Sequence, residues 1–198
     1  MIVMPGDKTL NAILVRHGET EANKDGIAQG QTDTPLTGEG VASTLRKAAK
    51  LARFAFSAIY SSDLQRAVTT AELLKKAIGF SKPVSLSSDL REIDFGALSG
   101  KSREEIMPIV RHHKADPSLR YPGGEGGADL IARTERFFAE ARVRHVGESI
   151  LVVTHYGVME TVAKRFAGFP PDEPVVIGSD DVWLLELGDG GARFETAL

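Results

Sequence analysis

The chain has 198 residues, 42% of them hydrophobic, and 24 lysines and arginines against 27 aspartates and glutamates give a formal net charge of -3. That is one generous domain, able to bury roughly 70% of its unfolded surface, and its acidic balance excludes a nucleic-acid binder driven by overall charge. Cysteine is absent, which excludes a disulfide scaffold, thiolate-held metal and cysteine nucleophile chemistry.

No apolar run approaches the length of about 18 residues that a membrane span needs. Met1 to Leu10 also lacks the basic-then-apolar order of a signal peptide, so a cytoplasmic protein is expected. Ala12 to Val15 reads as a buried strand delivering Arg16 and His17 at its C-terminal end. Glu19 to Pro35 reads as loop, and Thr37 as the N-cap of a helix with apolar positions Val41, Leu45, Ala48 and Ala52. Ala58 to Tyr60 is a second strand ending at Ser61 and Ser62. The helix after it runs from about Leu64 to Ile78, with Leu64, Ala67, Ala71, Leu74 and Ile78 on one face and Gly79 as terminator.

Pro83 to Leu86 is a weak third strand, and Leu90 to Gly100 shows no clean period. Ser102 and Glu105 form a capping box for a further helix, which Pro108 is expected to kink or restart. Lys114 to Gly127, with two prolines and four glycines, reads as an excursion. Lys101 to Gly127 as a whole resembles an inserted lid carrying Arg103, Arg111, Lys114 and Arg120. A helix from about Ala128 to Arg144 follows, with Arg133, Arg136, Arg142 and Arg144 read as a solvated face. The apolar strand Ile150 to Val153 and a helix from about Val158 to Phe166 come next. Two strands, Val182 to Leu187 and Arg193 to Leu198, close the chain; Met107, Met159 and Trp183 are expected in the core.

This alternation predicts a single α/β domain over residues 1–198. It would be a three-layer sandwich with a largely parallel central sheet, helices on both faces and a short lid insertion at 101–127. Ligands bind such sheets beyond the carboxyl ends of the strands, and three strand ends carry unusual residues: Arg16 and His17, Ser61 to Arg66, and Thr154 and His155. Each residue alone has an ordinary reading, as a core histidine or a helix-surface arginine. Two imidazoles and two guanidiniums brought together would instead make a basic pocket in an acidic protein, suited to a phosphate.

Arg16-His17-Gly18-Glu19-Thr20 with Asn23 spells an R-H-G-x-T-x-x-N motif that resembles the signature of the histidine phosphatase, or phosphoglycerate mutase-like, superfamily. Leu36, Thr37 and Gly40, the block Ser61 to Thr70, the acid segment Glu92 to Gly100, the P-G-G-E turn Pro122 to Glu125 and Val153 to Val158 resemble its other motifs, in family order. The resemblance implies that His17 is a nucleophile that becomes phosphohistidine. Arg16, Arg66 and His155 would grip the phosphoryl oxygens, and Glu92 would protonate the leaving oxygen with no metal or other cofactor. From the residues alone, Asp94 and Glu125 compete with Glu92 for the acid. Asn23 and the backbone around Gly18 are expected to complete the cradle, with Thr37, Tyr156, Arg111 and Arg120 at the substrate.

Two positions depart from the family pattern: Gly126 stands where serine usually follows P-G-G-E, and Tyr156 where glycine or asparagine is common. The expected activity is hydrolysis of a small phosphorylated metabolite, without nucleic-acid or membrane partners. The alternatives are a phosphoglycerate mutase, which resembling mutases equip with a longer insertion between acid and second histidine, and a noncatalytic phospho-ligand module.

Overall fold

A computed structural model describes residues 8–196. Six strands form one sheet, β1 (Leu10–Arg16), β2 (Phe56–Ser62), β3 (Ser85–Ser87), β4 (Ser149–Thr154), β5 (Val182–Gly188) and β6 (Gly191–Glu195), in the order β3-β2-β4-β1-β5-β6. The four strands from β3 to β1 are parallel, and β5 and β6 join as an antiparallel hairpin. The last two residues of the expected strand to Leu198 lie outside the described range.

Residues alternate across the sheet with period two, which fixes the layers. Ile13 and Val15 of β1 with Leu151 and Val153 of β4 pack on α2 (Gly38–Leu51) and α3 (Gln65–Ala77) through Ala48, Leu51, Ala67, Ala71 and Leu74. Ala12, Leu14, Ile150 and Val152 face the other side, where α5 (Gly127–Arg144) and α6 (Tyr156–Phe166) supply Leu130, Phe137, Phe138, Val158 and Val162. Each aliphatic side chain so buried contributes about 1.5–3 kcal/mol, whereas an exposed ion pair contributes about 0–1. Burial, not surface charge, therefore holds the strand ends in register. Met159 and Trp183 lie in this core as expected; Met107 is surface-exposed.

Four local expectations are corrected. The loop from Glu19 contains a one-turn helix, α1 (Glu21–Lys24), because Thr20 Oγ1 accepts from Asn23 N and Asn23 Oδ1 accepts from Thr20 N. α2 turns a different face inward: Leu45 and Ala52 are exposed, while Ser43, Thr44 and Lys47 are buried with Leu51. The segment after Gly100 is mostly regular, since α4 (Arg103–Ala115), capped by Ser102 Oγ, runs unbroken through Pro108. Pro108 faces solvent, so it removes one backbone donor without driving its ring into the core. Ile106 and Val110 pack α4 on Ala28, Leu98 and Tyr121, and Lys101 O accepts from Ala28 N. Finally, Arg133 is buried rather than solvated. Among the described residues no helix is long and apolar enough to cross a membrane.

Candidate active site

Strand register brings the expected residues together. β1 and β4 are adjacent and parallel with Arg16 opposite Thr154, so the next residues, His17 and His155, emerge side by side with ring centroids 5.0 Å apart. β2 flanks β4 with Ser61 opposite Val153, and the chain turns there into α3, whose second residue is Arg66. The exit from β1 is tight. A Cβ on Gly18 would meet Gly40 O at 2.5 Å, and one on Gly40 would meet Glu19 O at 2.1 Å. Both positions therefore require glycine, and α2 starts directly against the turn that follows His17.

His17 is buried, and its Nδ1 donates to Gly18 O at 2.7 Å, which leaves Nε2 with its lone pair. Arg66 Nε points at that lone pair from 3.4 Å. Burial first, then the Arg16 and Arg66 guanidiniums, hold the His17 imidazole neutral by pushing its pKa well below the ordinary range. His155 is shifted the same way by burial, His17, Arg66 and Arg16. The Arg66 guanidinium is itself locked: Nη1 donates to Thr32 O and Asp33 Oδ1 (2.7 and 2.8 Å), and Nη2 to Gly30 O (2.7 Å). Asp33 also accepts from Gln65 N and Arg66 N at the start of α3. The sequence reading passed over Asp33 as a loop residue; its signal was an aspartate lying before a helix whose own N-cap, Leu64, has no capping side chain.

Three further buried atoms at the strand ends have no hydrogen-bond partner among the described residues: Arg16 Nε and both ring nitrogens of His155. Buried polar groups without partners are rare in folded proteins, and here they lie beside His17 and Arg66. Arg16 Nε and one N–H of the neutral His155 ring are thus unpaired donors. Burial lowers the pKa of Arg16, and Glu92 opposes that shift.

Glu92, the expected acid, is held by main-chain donors. Its Oε1 accepts from Ile93 N (2.9 Å) and Gly157 N (3.1 Å), the latter in the first turn of α6, two residues after His155. A Cβ on Gly157 would meet Oε1 at 2.3 Å. Arg133 fixes the same segment from below by donating to Asp89 O and Glu92 O, and it pairs with Glu125 at 2.6 Å. The rival carboxylates are engaged elsewhere: Glu125 in that pair, and Asp94 Oδ1 by Gly96 N. Phe95 packs edge-on against Tyr121, and the N–H groups of Ile93 and Gly157 lie against the Glu92 carboxylate.

The remaining expected substrate contacts divide. Gly18 N donates to Thr70 Oγ1, and Thr37 Oγ1 caps Gly40 while donating to Glu19, so both shape the turn rather than offering free donors. Asn23 is half-buried in the cap of α1. Tyr156 donates to Val175 O, and its ring lies near both Arg16 (6.0 Å) and Lys114 (5.5 Å). Burial raises its phenol pKa to about 12. Arg120 pairs with Asp129 and Gly124 O at the start of α5, and Arg111 is exposed on α4. Arg103, in the first turn of α4, is a cation of the 101–127 segment whose charge is felt at Arg16.

Two neutral buried imidazoles make a stability prediction. The unfolded chain protonates these histidines near their ordinary value of about 6.5, while the folded chain does so only well below it. Unfolding free energy should thus fall as pH drops below about 6.5. Urea titrations at pH 7.5 and 5.5 test this, and the drop should shrink in His155→Asn; an equal drop in that variant would refute the assignment.

An α/β sheet with two facing histidines and two arginines at its strand ends defines a phosphoryl-transfer enzyme of the histidine type. The family model of the histidine phosphatase superfamily (branch 1) matches residues 12–196, and the chain belongs to that superfamily, as a phosphoric monoester hydrolase. The adenosylcobalamin/alpha-ribazole phosphatase of Escherichia coli (strain K12) is 32% identical over 164 residues, 80% of each protein. The "Probable phosphoglycerate mutase GpmB" of Salmonella choleraesuis is 30% identical, covering 81% of this chain and 76% of that one. The solved structure of Bacillus stearothermophilus YhfR superposes with a TM-score of 0.82 at 32% identity, over 93% of this chain and 94% of that one.

Proposed function

We propose that the chain hydrolyses a small phosphorylated metabolite through a phosphohistidine on His17, without a metal ion. The observation that carries this is the His17 geometry: Nδ1 is tied to Gly18 O, and the lone pair of Nε2 faces Arg66 Nε inside a cluster of cations. Nε2 attacks phosphorus while the ester P–O bond breaks, and the leaving oxygen takes the proton of the Glu92 carboxyl. Water then attacks the phosphohistidine; its proton passes to Glu92, the N–P bond breaks and inorganic phosphate leaves. Arg16, Arg66 and His155 bind the oxygens over which the loose transition state spreads charge, the task that cations perform in other phosphoryl transfers. Turnover of p-nitrophenyl phosphate in excess EDTA should match turnover without it. Loss in EDTA with recovery on adding magnesium would overturn the metal-free route.

The mutase-named relative keeps a second reading in view, since a mutase returns the phosphoryl group to substrate instead of water. Supplied with a phosphoglycerate, the protein should release inorganic phosphate at a rate matching substrate loss; isomerisation with little release would favour the mutase. A noncatalytic module would turn over neither substrate.

Substrate choice is assigned to Arg103, whose charge is felt at Arg16. Arg103→Ala should raise KM several-fold for a substrate carrying a second anion, because a charged contact contributes on the order of 1–3 kcal/mol. p-Nitrophenyl phosphate has no second anion and should be nearly unaffected. Arg120→Ala, which breaks the bonds to Asp129 and Gly124 O, should leave both substrates unchanged. Parallel losses on both substrates in Arg103→Ala would remove Arg103 from substrate recognition.

A further inference from the structure

Lys47 lies in the middle of α2 with no solvent exposure, on the inward face that the spacing of apolar residues in the sequence did not mark. A buried ammonium is costly unless it is partnered. Its hydrogen bond goes to a neutral group: Nζ donates to Arg16 O at 2.7 Å. The carboxylates nearest in charge are Asp180 and Asp181, from the segment leading into β5. Asp180 is engaged by Arg46 at 2.8 and 3.1 Å, and Asp181 by Gly178 N at 2.7 Å. The charges facing Lys47 are thus Arg16 from β1, Arg46 from its own helix, and these two aspartates. Burial and Arg16 bring its pKa down to about 8.

The accepting carbonyl belongs to the peptide bond that joins Arg16 to His17. The N–H of that same peptide donates to Thr154 O at 2.9 Å. One side of the nucleophile's peptide is therefore held by β4, the other by the ammonium, and the Lys47 charge is felt at the His17 ring. We propose that Lys47 is a positioning residue of the phosphoryl-transfer site, fixing the Arg16–His17 peptide from beneath and adding a positive charge that strengthens binding of the transferring phosphoryl group. This rests on the reading of His17 as the phosphoryl acceptor. A lysine that merely filled space in α2 would be replaceable by methionine, which has similar length and no charge.

Lys47→Met and Lys47→Gln separate the charge from the shape and from hydrogen bonding. In both, kcat/KM for p-nitrophenyl phosphate should fall roughly tenfold at pH 6.5, with affinity for tungstate, a permanent dianion, falling in parallel. The ratio of wild type to variant should then close as pH rises past about 8, because the wild-type ammonium loses its proton there. A ratio that is constant with pH, or unchanged kcat/KM and tungstate affinity with only a lower Tm, would overturn the proposal. Should neither variant fold, wild-type tungstate affinity decides: it should weaken with a midpoint near pH 8, and a flat profile from pH 7 to 9.5 would overturn it. Acid-labile phosphate trapped on His17 of the wild type checks the underlying reading separately. Its absence would remove that reading, and this proposal with it.

Discussion

His17→Ala should lose at least about 10³-fold in kcat, because removing a nucleophile closes the covalent route rather than weakening one contact. The residual rate would come from Arg16, Arg66 and His155 acting on a bound phosphate with water as direct attacker. His155 is the rival acceptor, since it is buried 5.0 Å from His17 and both its nitrogens lack partners. The two rings differ in what fixes their tautomer. Gly18 O accepts from Nδ1–H of His17 and so leaves an Nε2 lone pair, whereas among the described residues no acceptor orients His155, which is left to donate to a phosphoryl oxygen. Rapid quench of the wild type followed by mass spectrometry should locate acid-labile phosphate on His17. Phosphate on His155 or on a serine would refute the assignment.

The sheet and the histidine pair were legible in the sequence because both follow from short-range patterns. Apolar runs marked β1, β2 and β4, and a parallel arrangement puts Arg16, His17 and His155 at one edge of the sheet; the strand order, which the sequence did not show, makes β1 and β4 neighbours. What escaped was set by partners distant in sequence. Arg133 reads as one of several arginines on a helix, and its burial rests on distant partners, the carbonyls of Asp89 and Glu92 and the carboxylate of Glu125. Lys47 escaped because periodicity sorts residues by polarity, whereas this face of α2 was selected by the carbonyl of Arg16 and by the close passage at Gly40. Asp33, too, acquires its role only when α3 and Arg66 are placed beside it. The contacts of Arg103 and Arg120 were indistinguishable in sequence. Position on α4 decided them: Arg103 begins the helix near Arg16, and Arg120 lies past its end beside Asp129.

Glu92→Gln should reduce turnover of an alkyl phosphate by about 10²–10⁴-fold and that of p-nitrophenyl phosphate by less than about tenfold. An alkoxide leaves poorly without a proton, while a nitrophenolate leaves readily without one. Glutamine keeps the shape and an oxygen to accept from Ile93 N and Gly157 N, so the loop should stay in place and only the transferable proton is lost. Glu125→Gln makes the contrasting case. Its carboxylate pairs with Arg133, which in turn holds the carbonyls of Asp89 and Glu92, so its loss should shift the acid's position and lower the melting temperature. Substitution there should slow both substrates through geometry, with no dependence on the leaving group, and Asp94→Asn should behave likewise through the Gly96 turn. If Glu92→Gln slowed both substrates equally while Glu125→Gln or Asp94→Asn became selective against the alkyl phosphate, the acid would be the residue whose substitution showed that selectivity.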